Sequence, residues 1–480
     1  MDRKSEVFHC CKVGDLQRVQ YLVEVKEVEL NIRDKFDSTP LYYACLCGHK
    51  DLVQYLLECG ARCEAKTFDG ERCLYGALTD EIRDILKNYK AVKVGKTRRD
   101  LYLEFLERLQ EPGCYEDIAF VVHDKTYTAH RCILHARSHY FAEMLDTKWR
   151  NKETVNIKHS QVRPQAFKAV LQYIYTGHLE VHVDCVDDCI TFAKYCKMSN
   201  LEMKLIERLQ AILNFVPQKP GTEINVISIE PGMDDTSLQD DLEYLADLAI
   251  PLEVMGFVGP GELPFCGEPG EAPPLADVCF SVEGHHFYCH KVFFCGRSDY
   301  FKALLSDHFS ENAQDQHSIP VVTLHDITAE VFSHVVYYLY TNRVELSEDT
   351  SYDVLCIADL YLLPGLKKLC ANVIGQTLTD SSVISVLRVS RMFDLNKLED
   401  QCAEYMAKHL ERILDKDEFT ALIQEDAASV KDREEMDSIM IVDDIRYHIS
   451  ANVQTFSNIR EAEDKLKALD ELLIQMGMEC

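Results

Sequence analysis

Cys289 and His290 are neighbours, and a thiol beside an imidazole is the pairing from which a cysteine nucleophile and its base are built. The chain carries this stretch twice, however, and in the other copy the residue before His130 is Ala129. A nucleophile would be missing from one copy, so both histidines are assigned to the fold. Other cysteines offer no better site: Cys10-Cys11, Cys45-x-Cys47 and Cys185-x3-Cys189 lack the doubled two-residue spacing of a structural zinc. There is no glycine-rich phosphate loop, no Gly-x-Ser-x-Gly elbow and no His-Glu-x-x-His motif. The expectation is a protein that is not an enzyme and takes neither metal nor cofactor.

Length and composition narrow what remains. A chain of 480 residues is too long for one hydrophobic core, and at roughly one domain per 150 residues about three are expected. An apolar share of 47% and a charged share of 27% belong to a folded globular protein. The formal net charge of -29 repels phosphate backbones, and the one short basic cluster, Lys93 to Arg99, is too small to reverse this, so nucleic acid is not expected as a partner. The opening Met-Asp-Arg-Lys-Ser-Glu lacks the apolar core of a signal peptide, and no run of about 18 apolar residues offers a membrane span. The 20 cysteines are then expected to be reduced thiols in the cytoplasm or nucleus.

The elements that must position these residues are themselves duplicated. Asp117-Ile-Ala-Phe-Val-Val, Ala129-His130-Arg131 and Arg137-Ser138-His-Tyr140-Phe141 return as Asp277-Val-Cys-Phe-Ser-Val, Cys289-His290-Lys291 and Arg297-Ser298-Asp-Tyr300-Phe301, always 160 positions further on. Within each copy the alternation seen at Ile118, Phe120 and Val122 predicts a strand, Lys125-Thr-Tyr127 its hairpin partner, and Ala129 to Leu134 the start of a helix. Asp117, His130, Ser138, Asp277, His290 and Ser298 read as buried or capping polar groups that fix strand and helix ends. Further on, Ala166-Phe167, Tyr173-Ile-Tyr175-Thr176-Gly177 and Ala193 match Val331-Phe332, Tyr338-Leu-Tyr340-Thr341-Asn342 and Ala358 at an offset of 165, so the second copy has about five extra residues between Leu305 and Ile327.

Ahead of the copies, residues 5 to 90 read as short helix pairs. Thr39-Pro40-Leu41-Tyr42-Tyr43-Ala44, Gly48-His49, Leu52-Val53, Leu56-Leu57 and Gly60-Ala61 resemble the ankyrin repeat, with Tyr42 standing where the consensus has His. Gly14-Asp15-Leu16 with Tyr21-Leu22-Val23, and Leu74 and Ala77 with Ile82, Ile85 and Leu86, make about three repeats. Asp37 and Gly70 hold the place before a first helix where the loop needs a left-handed residue. Such a stack offers a target its hairpin tips and concave face, here Arg33, Lys35, Phe36, Tyr42, Lys66 and Phe68. Leu101, Phe105, Leu106 and Leu109 predict a helix before the first copy.

Both copies resemble BTB/POZ domains, in the opening Asp, the Ala-His-Arg or Cys-His-Lys step and the Arg-Ser-x-Tyr-Phe helix. The fold expected is a multidomain chain: an α-helical ankyrin stack over residues 1–92, a connecting helix over 93–114, α+β BTB/POZ domains over 115–216 and 275–372, and a helical C-terminal region. Residues 217–274 read as an acidic linker with Pro and Gly, a solvated spacer in which Leu238, Leu242, Leu245 and Leu248 can form one helix. Residues 373–455 resemble a BACK-like helical region through Val383, Val386, Leu387, Leu395, Leu398, Cys402, Met406, Phe419, Leu422 and Ile423. The last segment, 456–480, spaces Ile459, Ala462, Leu466, Leu469, Leu473 and Met476 as a heptad seam.

The layout resembles the small, two-BTB form of the ankyrin repeat and BTB/POZ domain-containing family. That resemblance implies a cullin-docking motif, a hydrophobic residue and a Glu one residue apart, past each Tyr-Phe helix. The second copy has Phe309-Ser310-Glu311 there, after Leu304-Leu305; the first has Trp149-Arg150-Asn151 after Met144-Leu145, keeping an anchor and losing the acid. The function implied is a non-catalytic substrate adaptor of a cullin-RING ubiquitin ligase, the ankyrin stack binding an unidentified protein target. The competing reading is a BTB dimerisation or interaction scaffold in growth or developmental signalling without ligase recruitment. Its copies pair between chains as a homodimer or within one chain, which a flexible linker spanning about 40 Å, at roughly 5 to 6 Å per root residue, permits. A zinc-finger repressor is disfavoured, because no fingers follow.

Overall fold

The computed structural model describes residues 3–24, 28, 30, 32, 34, 38–59, 61, 68–88, 101–111, 113–213, 226–229, 236–254, 275–306, 319–429, 439–451 and 456–478. The chain divides into two compact units, Met1–Val344 and Glu345–Cys480.

The first unit begins with three helix pairs: α1 (Arg3–Val13) and α2 (Leu16–Glu24), α3 (Pro40–Cys47) and α4 (Lys50–Glu58), α5 (Phe68–Gly76) and α6 (Asp80–Asn88). Helix α3 starts where it does because the Thr39 hydroxyl accepts the Tyr42 N–H at 3.3 Å and Pro40, lacking an N–H, fills the first turn. It stops at Gly48, whose φ of +84° lets its N–H close the last turn. A Cβ on Gly48 would also strike Leu78 of the next pair, so this glycine serves both the turn and the stacking. Leu41, Ala44, Cys45, Leu52, Val53, Leu56 and Leu57 form the middle of a core that runs through all three pairs.

After α7 (Leu101–Arg108), the first copy runs β1 (Ile118–Val122), β2 (Lys125–Ala129), α8 (Arg131–Arg137), α9 (His139–Asp146), β3 (Thr154–Ile157), α10 (Pro164–Thr176), β4 (Leu179–His182), α11 (Val186–Tyr195) and α12 (Ser199–Leu213). Its sheet has the order β2-β1-β3, a hairpin with Phe120 opposite Tyr127 and a parallel β3 with Val155 opposite Phe120. Phe120 is the centre of the core, within 5.5 to 5.9 Å of the rings of Phe141, Trp149 and Phe167.

The acidic span between the copies departs from a solvated spacer. Its described part forms β5 (Val226–Ile229), paired antiparallel with β4 so that Leu179 faces Ile229, and α13 (Ser237–Ala249). Leu238, Leu242, Leu245, Ala246 and Ala249 of α13 are buried. Each buried Leu contributes roughly 1.5–3 kcal/mol, enough for the apolar stripe to hold the helix on the fold despite its acidic face.

The second copy repeats the plan with β6 (Val278–Val282), β7 (His285–Cys289), α14 (Lys291–Arg297), α15 (Asp299–Leu304), β8 (Val321–Thr323) and α16 (Ala329–Thr341) in a sheet ordered β7-β6-β8. Phe280 and Phe287 face each other in the hairpin, and Phe280 packs on Phe294, Phe301 and Phe332. Both long helices end on a left-handed residue, Gly177 after α10 and Asn342 after α16, a conformation that Gly and Asn adopt more readily than other residues.

The second unit is helical: α17 (Glu348–Leu360), α18 (Pro364–Gln376), α19 (Val383–Met392), α20 (Asn396–Lys408), α21 (Asp417–Ser429), α22 (Met440–Ala451) and α23 (Phe456–Gln475). The periodic residues from Val383 to Ile423 are buried as their spacing predicts. Arg391 ties three helices, reaching Glu399 at 2.7 Å and both oxygens of Asp426 at 2.5 and 2.9 Å. Of the terminal heptad seam, Leu469 and Leu473 are buried while Ile459 is exposed.

Candidate interaction surfaces

The duplicated polar residues build the same joint in each copy. Asp117 accepts the Arg131 N–H at 2.8 Å and Asp277 accepts the Lys291 N–H at 2.7 Å, capping α8 and α14. Burial raises both carboxyl pKa values, and the backbone donor opposes it. One ring nitrogen of His130 lies 2.8 Å from the Tyr175 hydroxyl and the other 2.7 Å from the Cys114 carbonyl. His290 meets Tyr340 in the same way at 2.8 Å. Burial lowers the His130 pKa, and it pushes the Cys289 thiol well above the ordinary thiol range, the reverse of what an attacking thiolate requires. The Ser298 hydroxyl accepts the Phe301 N–H at 3.2 Å and caps α15. Ser138 departs from the expected cap: it is buried, but among the described residues its hydroxyl has no hydrogen-bond partner.

The docking expectation for the first copy needs correction. Trp149 is 6% exposed, held edge-on by Phe120 at 5.5 Å and Tyr140 at 6.2 Å, so its ring completes the core and is not free to enter a partner. Phe309, Ser310 and Glu311 lie outside the described residues, as do Arg33, Lys35, Phe36 and Lys66. Phe68 opens α5, and nothing of its side chain is described. Tyr42 is half-buried, with the Arg72 guanidinium 4.7 Å from its ring centre and Gly76 beneath it, so much of it is spent on packing between repeats.

The sequence patterns did not show where the two copies meet. Helix α7 packs on α10 of the first copy and α14 of the second; α13 packs on α16 of the second and α8 of the first. The repeated arginines hold these helices crosswise. Arg297 places its guanidinium 4.6 Å from the Tyr102 ring of α7 and 6.0 Å from Phe105, while the Tyr102 hydroxyl donates to the Tyr340 carbonyl. Arg137 donates to the Ser237 carbonyl at 3.1 Å and to Asp241 of α13. Asp240 faces Arg343 at 3.7 Å, and Glu243 accepts from the Tyr337 hydroxyl. The signal available in the sequence was the conserved offset between Arg137 and Arg297 together with the leucine spacing of α13.

Among the described residues no group of three or more metal-ligating side chains is assembled, and no helix is long and apolar enough to cross a membrane.

A family model of the BTB/POZ domain matches residues 106–213 and 269–378, and one of ankyrin repeats in three copies matches residues 4–88. BTB/POZ domain-containing protein 3 of Schizosaccharomyces pombe is 30% identical over 501 aligned positions, covering 99% of this chain and 90% of that protein. An ankyrin repeat-containing protein of Saccharomyces cerevisiae is 28% identical over 480 positions, covering 94% and 90%. Among solved structures, the BTB (Tramtrack and Bric a brac) domain of human Gigaxonin is similar over 22% of this chain and 80% of its own, at 24% identity and a TM-score of 0.18.

Proposed function

Because the chain belongs to the family of proteins that join ankyrin repeats to BTB/POZ domains, we propose that it is a non-catalytic adaptor that brings a protein target to a cullin-RING ubiquitin ligase. Its three modules are protein-interaction modules, and the polar residues that resemble a reactive site are committed to capping and buried hydrogen bonds. The ankyrin stack holds the target. One BTB copy holds the cullin, and ubiquitin transfer is accelerated by the raised effective concentration of target lysines beside the loaded ligase.

The observation that carries the assignment of the dock is the burial of Trp149. It argues against the first copy's anchor and so supports Phe309-Ser310-Glu311 of the second copy as the proposed dock. An aromatic anchor and its adjoining carboxylate at an interface centre are each worth about 2 kcal/mol or more when truncated. Co-precipitation of cullins with the wild type and with Phe309→Ala plus Glu311→Ala tests this directly. Tenfold or greater loss in the double variant is expected; equal recovery, or no cullin with either chain, sinks the docking assignment.

The scaffold reading gains support from one feature, the crosswise packing of α7 and α13 on both copies. Under that reading the BTB copies serve each other, and the ankyrin stack presents a partner without a ligase. Absence of cullin together with retained target binding favours it.

A further inference from the structure

We propose that the two copies are specified as each other's partner within one chain by a knob-and-hole contact, the Phe105 ring seated on Gly296, which a like-with-like pairing of first copies between chains cannot reproduce. The Phe105 ring is 2% exposed and lies against the α14 backbone at Gly296. A Cβ on Gly296 would overlap the ring's Cε2 and stand 3.0 Å from Cδ2. The ring has no room to retreat, since Phe293 and Tyr102 lie at centroid distances of 6.1 and 6.0 Å and the Arg297 guanidinium covers it.

The equivalent place in the first copy, 160 positions earlier, is Ala136, which carries the excluded Cβ. A first copy offered the α7 of another first copy therefore meets a filled hollow. The opposite half of the contact is also particular to the unlike pair. Helix α13 sets Asp240 and Glu243 against Arg343 and Tyr337 of the second copy, whose counterparts in the first are His178 and Gln172, while Asp241 reaches across to Arg137. Shape selects on one side and charge on the other. The faces of α8 and α14 are covered by α13 and α7 once this pair forms, so pairing with a second chain through them requires first displacing both helices.

This inference stands whether or not a cullin binds, because its test leaves Phe309 and Glu311 untouched. Light scattering of the full chain over about a hundredfold range of concentration is combined with thermal melting for the wild type, Gly296→Ala, and Gly296→Ala with Phe105→Leu. The wild type is expected to keep the mass of one chain. Gly296→Ala should melt several degrees lower, although Ala in a helix normally outperforms Gly, and it should begin to self-associate. Shortening Phe105 to Leu in the same chain should restore the melting temperature and the mass. Melting of Gly296→Ala at or above the wild type, failure of Phe105→Leu to restore it, or a wild-type mass of two chains that falls to one in Gly296→Ala would each overturn the proposal.

Discussion

Asp117 and Asp277 show how one residue repeated at a fixed offset serves the same joint twice, each accepting the first N–H of the helix that follows the hairpin. Replacing Asp277 with Ala removes that cap and is expected to cost about 1 kcal/mol, the typical loss for a helix cap. Chemical denaturation of the variant measures it, and an unchanged midpoint contradicts the capping role. Trp149 is the contrasting case, a residue whose type suggested a partner and whose surroundings assign it to the core. Trp149→Ala is expected to destabilise the protein by about 3–5 kcal/mol, and Trp149→Phe by much less, since Phe refills most of the space beside Phe120 and Phe141. Any cullin recovered with Trp149→Phe should match the wild type; selective loss of binding with unchanged melting would return the residue to the interface. Type and spacing made Asp277 legible in the sequence. For Trp149 they were ambiguous, because an exposed anchor and a core aromatic are the same side chain until its neighbours are known.

At the scale of the element, α13 decides the most. Its leucine spacing was readable, but its acidic composition argued for solvent, and only contact with α8 and α16 reverses that balance. The seat leaves a titratable mark. Burial, with Glu243 nearby, raises the Asp247 carboxyl from 3.8 to about 6, so the folded protein holds this proton more tightly than the unfolded chain. A raised folded value contributes stability that is fully present below the unfolded value of 3.8 and is lost as pH rises through about 6. Asp247→Asn should therefore melt higher than the wild type at pH 7, and the two should converge on acidification. Melting curves across that range check it, and an Asn variant that melts lower at neutral pH is incompatible with the buried seat. The hairpins and the ankyrin-like helix pairs needed no such correction, because their apolar periodicity and their Thr-Pro and Gly punctuation act over a few residues.

On the scale of the whole molecule, the division at Val344 and Glu345 separates a unit built of sheets and stacked helices from one of helices alone. Arg391 is a central tie of the second unit, and its removal leaves Asp426, which is 6% exposed, without its cation. Arg391→Ala is expected to cost about 3–5 kcal/mol, the range for stripping one partner from a buried pair. In calorimetry that loss should shift the transition of residues 345–480 and leave that of the first unit in place; equal shifts of all transitions would show that the units do not melt separately. The sequence by itself determined the modules: the ankyrin-like stack, the duplicated α+β copies and the helical tail all rest on local periodicity, caps and repeated spacing. The tertiary structure alone decided that Trp149 is core, that β5 and α13 of the acidic segment are part of the fold, and that Phe105 finds its hollow at Gly296. Each of these depends on which surfaces meet across a hundred or more residues, and the free energy of such a contact belongs to the pair of surfaces and is written in neither segment alone.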